Sequence, residues 1–150
     1  MTEIREMRLA AGLTQAELAA RAGTARPNIA AYESGAKMPS PEVRARLIAA
    51  MRPTPSEALR GHEAEVLEIA ERNGATRVRV FGSTAKGYDT TDSDLDLLVD
   101  PGPTTSLFEL FQLEEEVAEL LGVQVQVVSA RTASDEMLAS AIELLPMTAA

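Results

Sequence analysis

The sequence predicts two small domains, an all-helical unit followed by an α/β unit, and three observations lead to this prediction. Residues 1–51 read as short helical patterns separated by glycine or Ser-Pro boundaries. A proline-dense segment at residues 52–56 then interrupts helix formation. Beyond it, valine- and leucine-rich runs alternate with helical patterns, as in small α/β domains. We therefore expect domains at residues 1–52 and 60–150, joined by a linker at 53–59.

The composition excludes several classes of protein. The chain has 150 residues, 45% of them hydrophobic, and no cysteine, so disulfides, thiol catalysis and cysteine-based zinc sites are excluded. No signal peptide and no apolar run of membrane-spanning length is visible. We therefore expect a soluble, cytoplasmic protein that makes no membrane contact.

The net charge of −9 is unevenly distributed along the chain. Residues 1–60 carry nine basic against six acidic side chains, a balance of +3. Residues 61–150 carry five basic against seventeen acidic side chains, a balance of −12. This asymmetry predicts two modules with different partners.

The first two predicted helices have clear boundary signals. The first covers about residues 3–11 and stops at Gly12. Thr14 and Glu17 have the spacing of a capping box that opens the second helix. Gly23 ends that helix after about two turns.

The next two helices are predicted in the same way. Thr24 is the expected N-cap of the third helix, which ends at Ser34-Gly35. Ser40-Pro41-Glu42 opens the fourth with an N-cap, a first-turn proline and a first-turn acid. The side chains expected to face inward are Ile29, Ala30 and Tyr32, then Val43, Leu47, Ile48 and Met51.

Two short helices around a glycine turn form a helix-turn-helix arrangement. Residues 13–19 and 29–40 closely resemble the Cro/Xre-type DNA-binding domain, over about residues 3–51. The resemblance implies that operator DNA binds through residues 1–52, with the start of the third helix directed at base edges. The residues implied to contact DNA are Gln15, Thr24, Ala25, Arg26, Asn28 and Lys37.

The chemistry of these side chains agrees with that role. Arg26 can read guanine, Asn28 can pair with adenine, and Gln15 can hydrogen-bond a phosphate. The alternative is a helical bundle whose polar side chains are simply solvated. A module of this size makes few phosphate contacts, so strong operator binding would require a homo- or hetero-oligomer.

The second domain is predicted to begin with a helix from Ser56, divided at Gly61 and ending at Asn73-Gly74. His62 is expected at the surface, with no catalytic role. Strands follow at residues 77–81 and 95–99.

The rest of the domain is predicted as helix, strand and helix. The helix covers residues 106–121, capped by Gly122, with Glu114, Glu115, Glu116 and Glu119 on its solvated face. Residues 123–128 alternate as a strand, and a last helix is expected over about 133–145.

The segment from Phe81 to Val99 carries the candidate catalytic chemistry. Gly82-Ser83 follows a strand, where backbone N–H groups and a hydroxyl can bind phosphate oxygens. Asp94 and Asp96 are two residues apart, so on a strand they share a face and can hold one divalent cation. A phosphate cradle beside paired carboxylates is suited to nucleotidyl transfer.

The segment from Gly82 to Asp96 resembles the signature of the minimal nucleotidyltransferases of the DNA polymerase beta-like superfamily. In it, Gly82-Ser83 is followed after ten intervening residues by Asp94-Leu95-Asp96, and the resemblance extends over about residues 60–147. The resemblance implies a small mixed sheet, with ATP as substrate and Mg²⁺ as cofactor. Asp94, Asp96 and Ser83 would be catalytic, and the two aspartates would bind the metal. Gly82, Ser83 and Lys86 would bind the nucleotide. Asp89, Asp92 and Ser93 are interpreted as turn residues.

The sequence departs from the superfamily at one position. A third carboxylate is usual on a later strand, and Gln126 stands there. Its amide can offer a carbonyl oxygen to a metal but cannot act as a general base at neutral pH. This degenerate third metal position makes full two-metal catalysis doubtful, whereas nucleotide binding with one Mg²⁺ is compatible with it.

Minimal nucleotidyltransferases are typically paired with HEPN-type toxins in toxin–antitoxin systems. The resemblance therefore implies an antitoxin that binds operator DNA and transfers AMP from ATP to a hydroxyl of the toxin, expected to be that of a tyrosine. The alternative is a non-catalytic transcriptional regulator that neutralises its partner by binding only. A third hypothesis is nucleotidylation of a small molecule, but the sequence shows no added domain that would bind such a substrate.

Overall fold

The computed structural model describes residues 3–146, which fall into two compact units that divide between Pro53 and Thr54. Each unit has its own hydrophobic core. Most of the segment predicted as a linker forms a short helix whose Leu59 is buried in the core of the second unit. Within the described residues, no helix combines the length and apolarity needed to cross a membrane.

The described part of the first unit contains four short helices, with several of the predicted caps in place. Thr14 accepts a hydrogen bond from the Glu17 backbone N–H, and Ser40 accepts one from that of Val43. Gly23 adopts the left-handed conformation that lets the chain turn after the second helix. The helices are α1 (Glu3–Ala10), α2 (Gln15–Ala22), α3 (Arg26–Ser34) and α4 (Pro41–Ala50).

Two expectations for α3 are wrong. The N-cap is Ala25, whereas the Thr24 hydroxyl accepts a hydrogen bond from the Asn28 side chain at 2.9 Å. Ala30 is exposed, although Ile29 is fully buried. Consecutive helical residues point about 100° apart, so a helix that buries Ile29 and partly buries Tyr32 turns Ala30 towards solvent.

The second unit consists of a sheet with helices, and the predicted division of its first helix at Gly61 is confirmed. The elements are α5 (Pro55–Leu59), α6 (Glu63–Arg72), β1 (Ala75–Phe81), α7 (Gly82–Lys86), β2 (Leu95–Pro101), α8 (Leu107–Leu121), β3 (Val125–Ser129), α9 (Asp135–Ser140) and β4 (Ile142–Glu143).

The sheet is mixed, as predicted. Its strand order is β3-β2-β1-β4, with β2 and β3 parallel and the other two pairs antiparallel. Leu95, Leu97 and Val99 of β2 are fully buried in a core to which α6 and α8 contribute. Because side chains alternate along a strand, Asp94 and Asp96 lie on the opposite face of the sheet.

The predicted last helix, over residues 133–145, is too long. Helix α9 ends at Ser140, and Ile142–Glu143 forms β4 against β1. The Leu144 N–H donates to the Val78 carbonyl oxygen at 2.9 Å, and its side chain is buried. The free edge of β1 offers backbone partners and an apolar contact, which here prevail over a further helical turn.

The acidic face of α8 is only partly solvated. Glu115 and Glu119 are exposed, as predicted. The Glu114 carboxylate, by contrast, accepts the backbone N–H of Val127 at 2.9 Å on the edge strand β3. Glu116 accepts hydrogen bonds from the side chains of Arg72 and Asn73. These two glutamates therefore connect α8 to its neighbours.

Candidate active site

Gly82 and Asp96, which are fourteen positions apart, lie against each other at the end of β1. Gly82 has a φ of 71°, and a Cβ placed there would lie 2.5 Å from the Asp96 Oδ2 atom. Both the backbone conformation and the contact therefore require glycine. The predicted phosphate-binding turn and the predicted metal ligand thus meet in one place.

The strand register brings a third predicted residue to the same place. Asp96 pairs with Phe81 of β1 on one side and with Gln126 of β3 on the other. Paired residues on neighbouring strands point to the same face, so the Gln126 amide stands beside the Asp96 carboxylate. Gln126 is exposed, and no group of three or more acidic or histidine side chains around one point exists within residues 3–146.

The electrostatics of this face suit a cation. Burial raises the pKa of Asp96, and the charge of Asp94 raises it further. Neither carboxylate forms a salt bridge within the described residues, so the two like charges repel each other without compensation. Two carboxylates beside a carbonyl oxygen are a donor set that Mg²⁺ prefers, so these residues fit that ion.

The segment predicted to bind phosphate is a short helix rather than a simple turn. Helix α7 begins at Gly82 and ends at Gly87 in the left-handed conformation. The Ser83 carbonyl oxygen accepts the Tyr88 backbone N–H at 3.1 Å, whereas the Ser83 hydroxyl has no partner within the described residues. Lys86 is exposed at the end of α7. Both side chains therefore have polar groups available for an anion.

The loop before Asp94 contains a contact that the sequence did not indicate. Asp92 and Ser93 belong to a local turn, in which Ser93 Oγ accepts the Thr90 N–H at 2.9 Å. Asp89, interpreted as a turn residue as well, instead accepts two hydrogen bonds from Ser56 on α5. The partners are 33 positions apart, so no local pattern could have indicated this contact.

Four of the six residues predicted to contact DNA lie within residues 24–28, at the start of α3. Arg26 is the first residue of α3 and is exposed, immediately after the exposed N-cap Ala25. Asn28 donates to the Thr24 hydroxyl and accepts from the Lys37 ammonium at 3.4 Å. Gln15, at the start of α2, donates to Glu33 at 3.2 Å. The structure thus connects three of the six predicted residues in one hydrogen-bonded group.

Two family models match the chain. The helix-turn-helix model matches residues 4–57, and the model described as polymerase beta, nucleotidyltransferase matches residues 65–144, more than half of the chain. The second match contains α7, both aspartates and Gln126.

Curated relatives align with part of the chain. A protein adenylyltransferase, MntA, of Thermococcus cleftensis is 43% identical over 61 residues, which are 41% of this chain and 62% of that protein. The match therefore spans less than two thirds of that relative. A protein of Methanocaldococcus jannaschii assigned as a protein adenylyltransferase is 32% identical over 85 residues, 54% of this chain and 91% of that protein.

Solved structures agree on the fold. A protein assigned as a minimal nucleotidyltransferase is 42% identical, with a TM-score of 0.53 over 58% of this chain and 93% of its own. A toxin–antitoxin complex determined with AMP-PNP contains a chain that is 22% identical, with a TM-score of 0.50 over 57% of this chain and 73% of its own, and that likeness concerns the fold alone. The first unit is a Cro/Xre-type helix-turn-helix unit. Through the mixed-sheet domain that follows it, the chain belongs to the polymerase beta-type nucleotidyltransferase family.

Proposed function

We propose that this protein is an antitoxin that binds operator DNA and transfers AMP from ATP to a hydroxyl of a HEPN-type toxin, with a tyrosine as the expected acceptor. The observation that carries the enzymatic part is the packing of Gly82 against Asp96, which joins the proposed phosphate-binding segment to the proposed metal ligands. Relatives named as protein adenylyltransferases support AMP as the transferred group.

In the transfer, the acceptor oxygen forms a bond to the α-phosphorus of ATP while the bond to the bridging oxygen of pyrophosphate breaks. Asp94 and Asp96 would hold Mg²⁺, which when bound supplies positive charge at the triphosphate. The Ser83 hydroxyl and the first backbone N–H groups of α7 would donate to phosphate oxygens. Lys86 would offset part of the remaining negative charge.

The acceptor proton cannot be taken by Gln126, because an amide is not a base at neutral pH. The proton must therefore pass to one of the two aspartates or to water. This arrangement predicts slow transfer with nucleotide binding retained.

The proposal is tested with purified protein, the HEPN-type partner and ATP labelled at the α-phosphate. We expect label on the partner only when Mg²⁺ is present, together with a mass increase of one AMP and loss of the label when the acceptor tyrosine is changed to phenylalanine. Label-free partner after full incubation would contradict the enzymatic part.

A catalytically silent protein that neutralises its partner by contact is the second candidate, and Gln126 is the observation that favours it. Calorimetric titration of Mg²⁺·ATP separates the two, since a pure binding module should show no nucleotide-dependent heat.

We expect Gln126→Asp to increase the transfer rate by about ten- to a hundredfold, because it adds the missing carboxylate beside Asp96. The rate of AMP transfer under single-turnover conditions measures this effect. Thr76→Asp is the control, since it adds a carboxylate to an exposed residue near the start of β1, at the end of the strand away from Gly82. Equal rates for the two variants would show that the third ligand is not limiting.

The second unit has a surface suited to the proposed toxin. Leu107, Phe108 and Phe111, in the first turns of α8, are 67%, 74% and 56% exposed. Glu115 and Glu119 continue the same side of the helix towards its C-terminus. Exposed apolar clusters of this kind mark protein interfaces, and the acidic continuation favours a partner with basic side chains.

We therefore expect Phe108→Ser with Phe111→Ser to weaken binding of the toxin at least tenfold, because central aromatic side chains dominate binding energy at interfaces. Surface plasmon resonance with the purified toxin measures the affinity. Leu145→Ser is the control, as Leu145 is 66% exposed but lies outside α8. Unchanged affinity of the double variant would place the toxin on another surface.

A further inference from the structure

The loop between α7 and Asp94 is held to α5 by one side chain. The Asp89 carboxylate accepts a hydrogen bond from the Ser56 backbone N–H at 2.7 Å and another from the Ser56 hydroxyl at 2.8 Å. Each bond uses a different carboxylate oxygen, so the contact fixes the orientation of the carboxylate as well as its position. Hydrogen bonds to an ionised acceptor are stronger than neutral ones.

The other contacts of this loop are local. Tyr88 donates to α7, and the hydrogen bonds among Thr90, Asp92 and Ser93 stay within a single turn. Within the described residues, the bonds from Ser56 are therefore the only hydrogen bonds that join residues 88–94 to an element other than α7.

The two predicted metal ligands differ in how they are held. Asp96 lies within β2, where the backbone is paired on both sides and Gly82 packs against the carboxylate. Asp94 is exposed, precedes β2 and has no side-chain partner within the described residues. On its C-terminal side Asp94 is held by Leu95, which is fully buried and donates its N–H to the Gln124 carbonyl oxygen at 2.8 Å. On its N-terminal side its position depends on the loop that leads to it.

We propose that Asp89 is a positioning residue that, through its two bonds from Ser56, keeps Asp94 in place beside Asp96 for binding of the metal and the triphosphate. The inference rests on the proposed function, because it concerns the same nucleotide site. Within the described residues, the Asp89 side chain forms hydrogen bonds with Ser56 and with neither the carboxylate pair nor α7.

Asp89 also satisfies a first-turn N–H of α5, so its loss could act by loosening that helix instead. A matched control separates the two effects. The Thr54 hydroxyl caps α5 by accepting the Glu57 N–H at 3.2 Å, whereas the hydrogen bonds of Asp89 come from Ser56. Thr54→Ala therefore weakens α5 and leaves the anchor of the loop intact.

The experiment uses the full chain and the variants Asp89→Ala, Asp89→Asn, Ser56→Ala and Thr54→Ala. Calorimetry with Mg²⁺·ATP gives the affinity, and hydrogen exchange reports the backbone N–H groups of residues 88–94. We expect Asp89→Ala to weaken Mg²⁺·ATP about tenfold and to speed exchange in the loop. Ser56→Ala should have a smaller effect than Asp89→Ala, because the Ser56 backbone N–H still donates to Asp89. The loss of affinity in Asp89→Asn should lie between those of Ser56→Ala and Asp89→Ala. Thr54→Ala should bind Mg²⁺·ATP as the wild type does.

Three results would overturn the inference. Faster exchange in Asp89→Ala with unchanged Mg²⁺·ATP affinity would show that the anchor orders the loop without positioning Asp94. An equal loss of affinity in Thr54→Ala would assign the effect to α5. A wild type that binds no Mg²⁺·ATP would overturn the proposed nucleotide site and this inference together, whereas the first two results leave that site standing.

Discussion

Replacing Asp96 with alanine should reduce AMP transfer by about 10²- to 10³-fold, because it removes a carboxylate that holds positive charge at the triphosphate. The side chain lies against Gly82 and beside Gln126, so no neighbouring carboxylate within the described residues other than Asp94 can substitute for it. Transfer of labelled AMP to the partner, measured in a single turnover, gives the size of the loss. Asp94→Ala should have an effect in the same direction.

The control for this experiment is Asp92→Ala. Asp92 is exposed in the same loop and its side chain has no partner within the described residues, so the variant removes one negative charge without altering the paired carboxylates. Asp92→Ala should keep the wild-type rate. Equal rates for wild type and Asp96→Ala would contradict the assignment of the metal site.

The Asp96→Ala variant should lose activity without losing stability. Burial and the charge of Asp94 raise the pKa of Asp96, so its ionised form costs stability at neutral pH. Asp96→Ala should therefore unfold at the same temperature as the wild type or at a higher one. A loss of activity caused by unfolding would appear as a lower melting temperature.

Replacing Arg8 with alanine should destabilise the first unit by about 3–5 kcal/mol, because it leaves a buried carboxylate without its cation. Arg8 binds both oxygens of Glu33, at 2.7 and 2.9 Å, and donates to the Leu13 carbonyl oxygen at 2.8 Å. Their side chains are only 10% and 5% exposed. Hydrogen exchange of the α2 and α3 backbone N–H groups in urea measures the free energy of unfolding of this unit.

An exposed ion pair in the same unit provides the comparison. Arg44 contacts Glu3 at 2.7 Å, with side chains 43% and 65% exposed. Pairs in water contribute little, so Arg44→Ala should cost less than about 1 kcal/mol. Similar losses of unfolding free energy in Arg8→Ala and Arg44→Ala would show that burial does not make the Arg8 ion pair more important for stability.

The buried pair also predicts a pH dependence. The hydrogen bond from Arg8 lowers the pKa of Glu33 below its ordinary value of 4.5, burial opposes the shift, and Gln15 adds to it. A lowered folded-state pKa gives stability that is present above the unfolded-state pKa and is lost as the pH falls through the folded-state value. The difference in unfolding free energy between wild type and Glu33→Gln should therefore narrow as the pH falls from 7 to 3. A difference that stays constant over this range would contradict the lowered pKa of Glu33.

Local chemistry explains which elements could be predicted. Thr14, Ser40 and Gly122 end or begin helices through contacts within four residues, so their roles can be read directly from the chain. Asp94, just before β2, and Asp96, within it, share a face because side chains two positions apart on a strand point the same way.

Contacts between distant segments explain the elements that were missed. Residues 142–144 were expected in a helix, but the open edge of β1 pairs with them. Glu114 was expected in solvent, but an unpaired N–H of the edge strand β3 lies within its reach. In both cases, the deciding partner is an unsatisfied backbone group of another strand.

By itself, the sequence determined the two-unit organisation, the family and the residue types of the candidate site, because caps, side-chain alternation and motif spacing operate over short stretches of chain. Only the tertiary structure decided that Gly82 packs against Asp96, that Gln126 stands beside the carboxylate pair and that Ser56 anchors Asp89. These contacts join residues 14, 30 and 33 positions apart, and strand register and loop packing, rather than local propensity, bring them together.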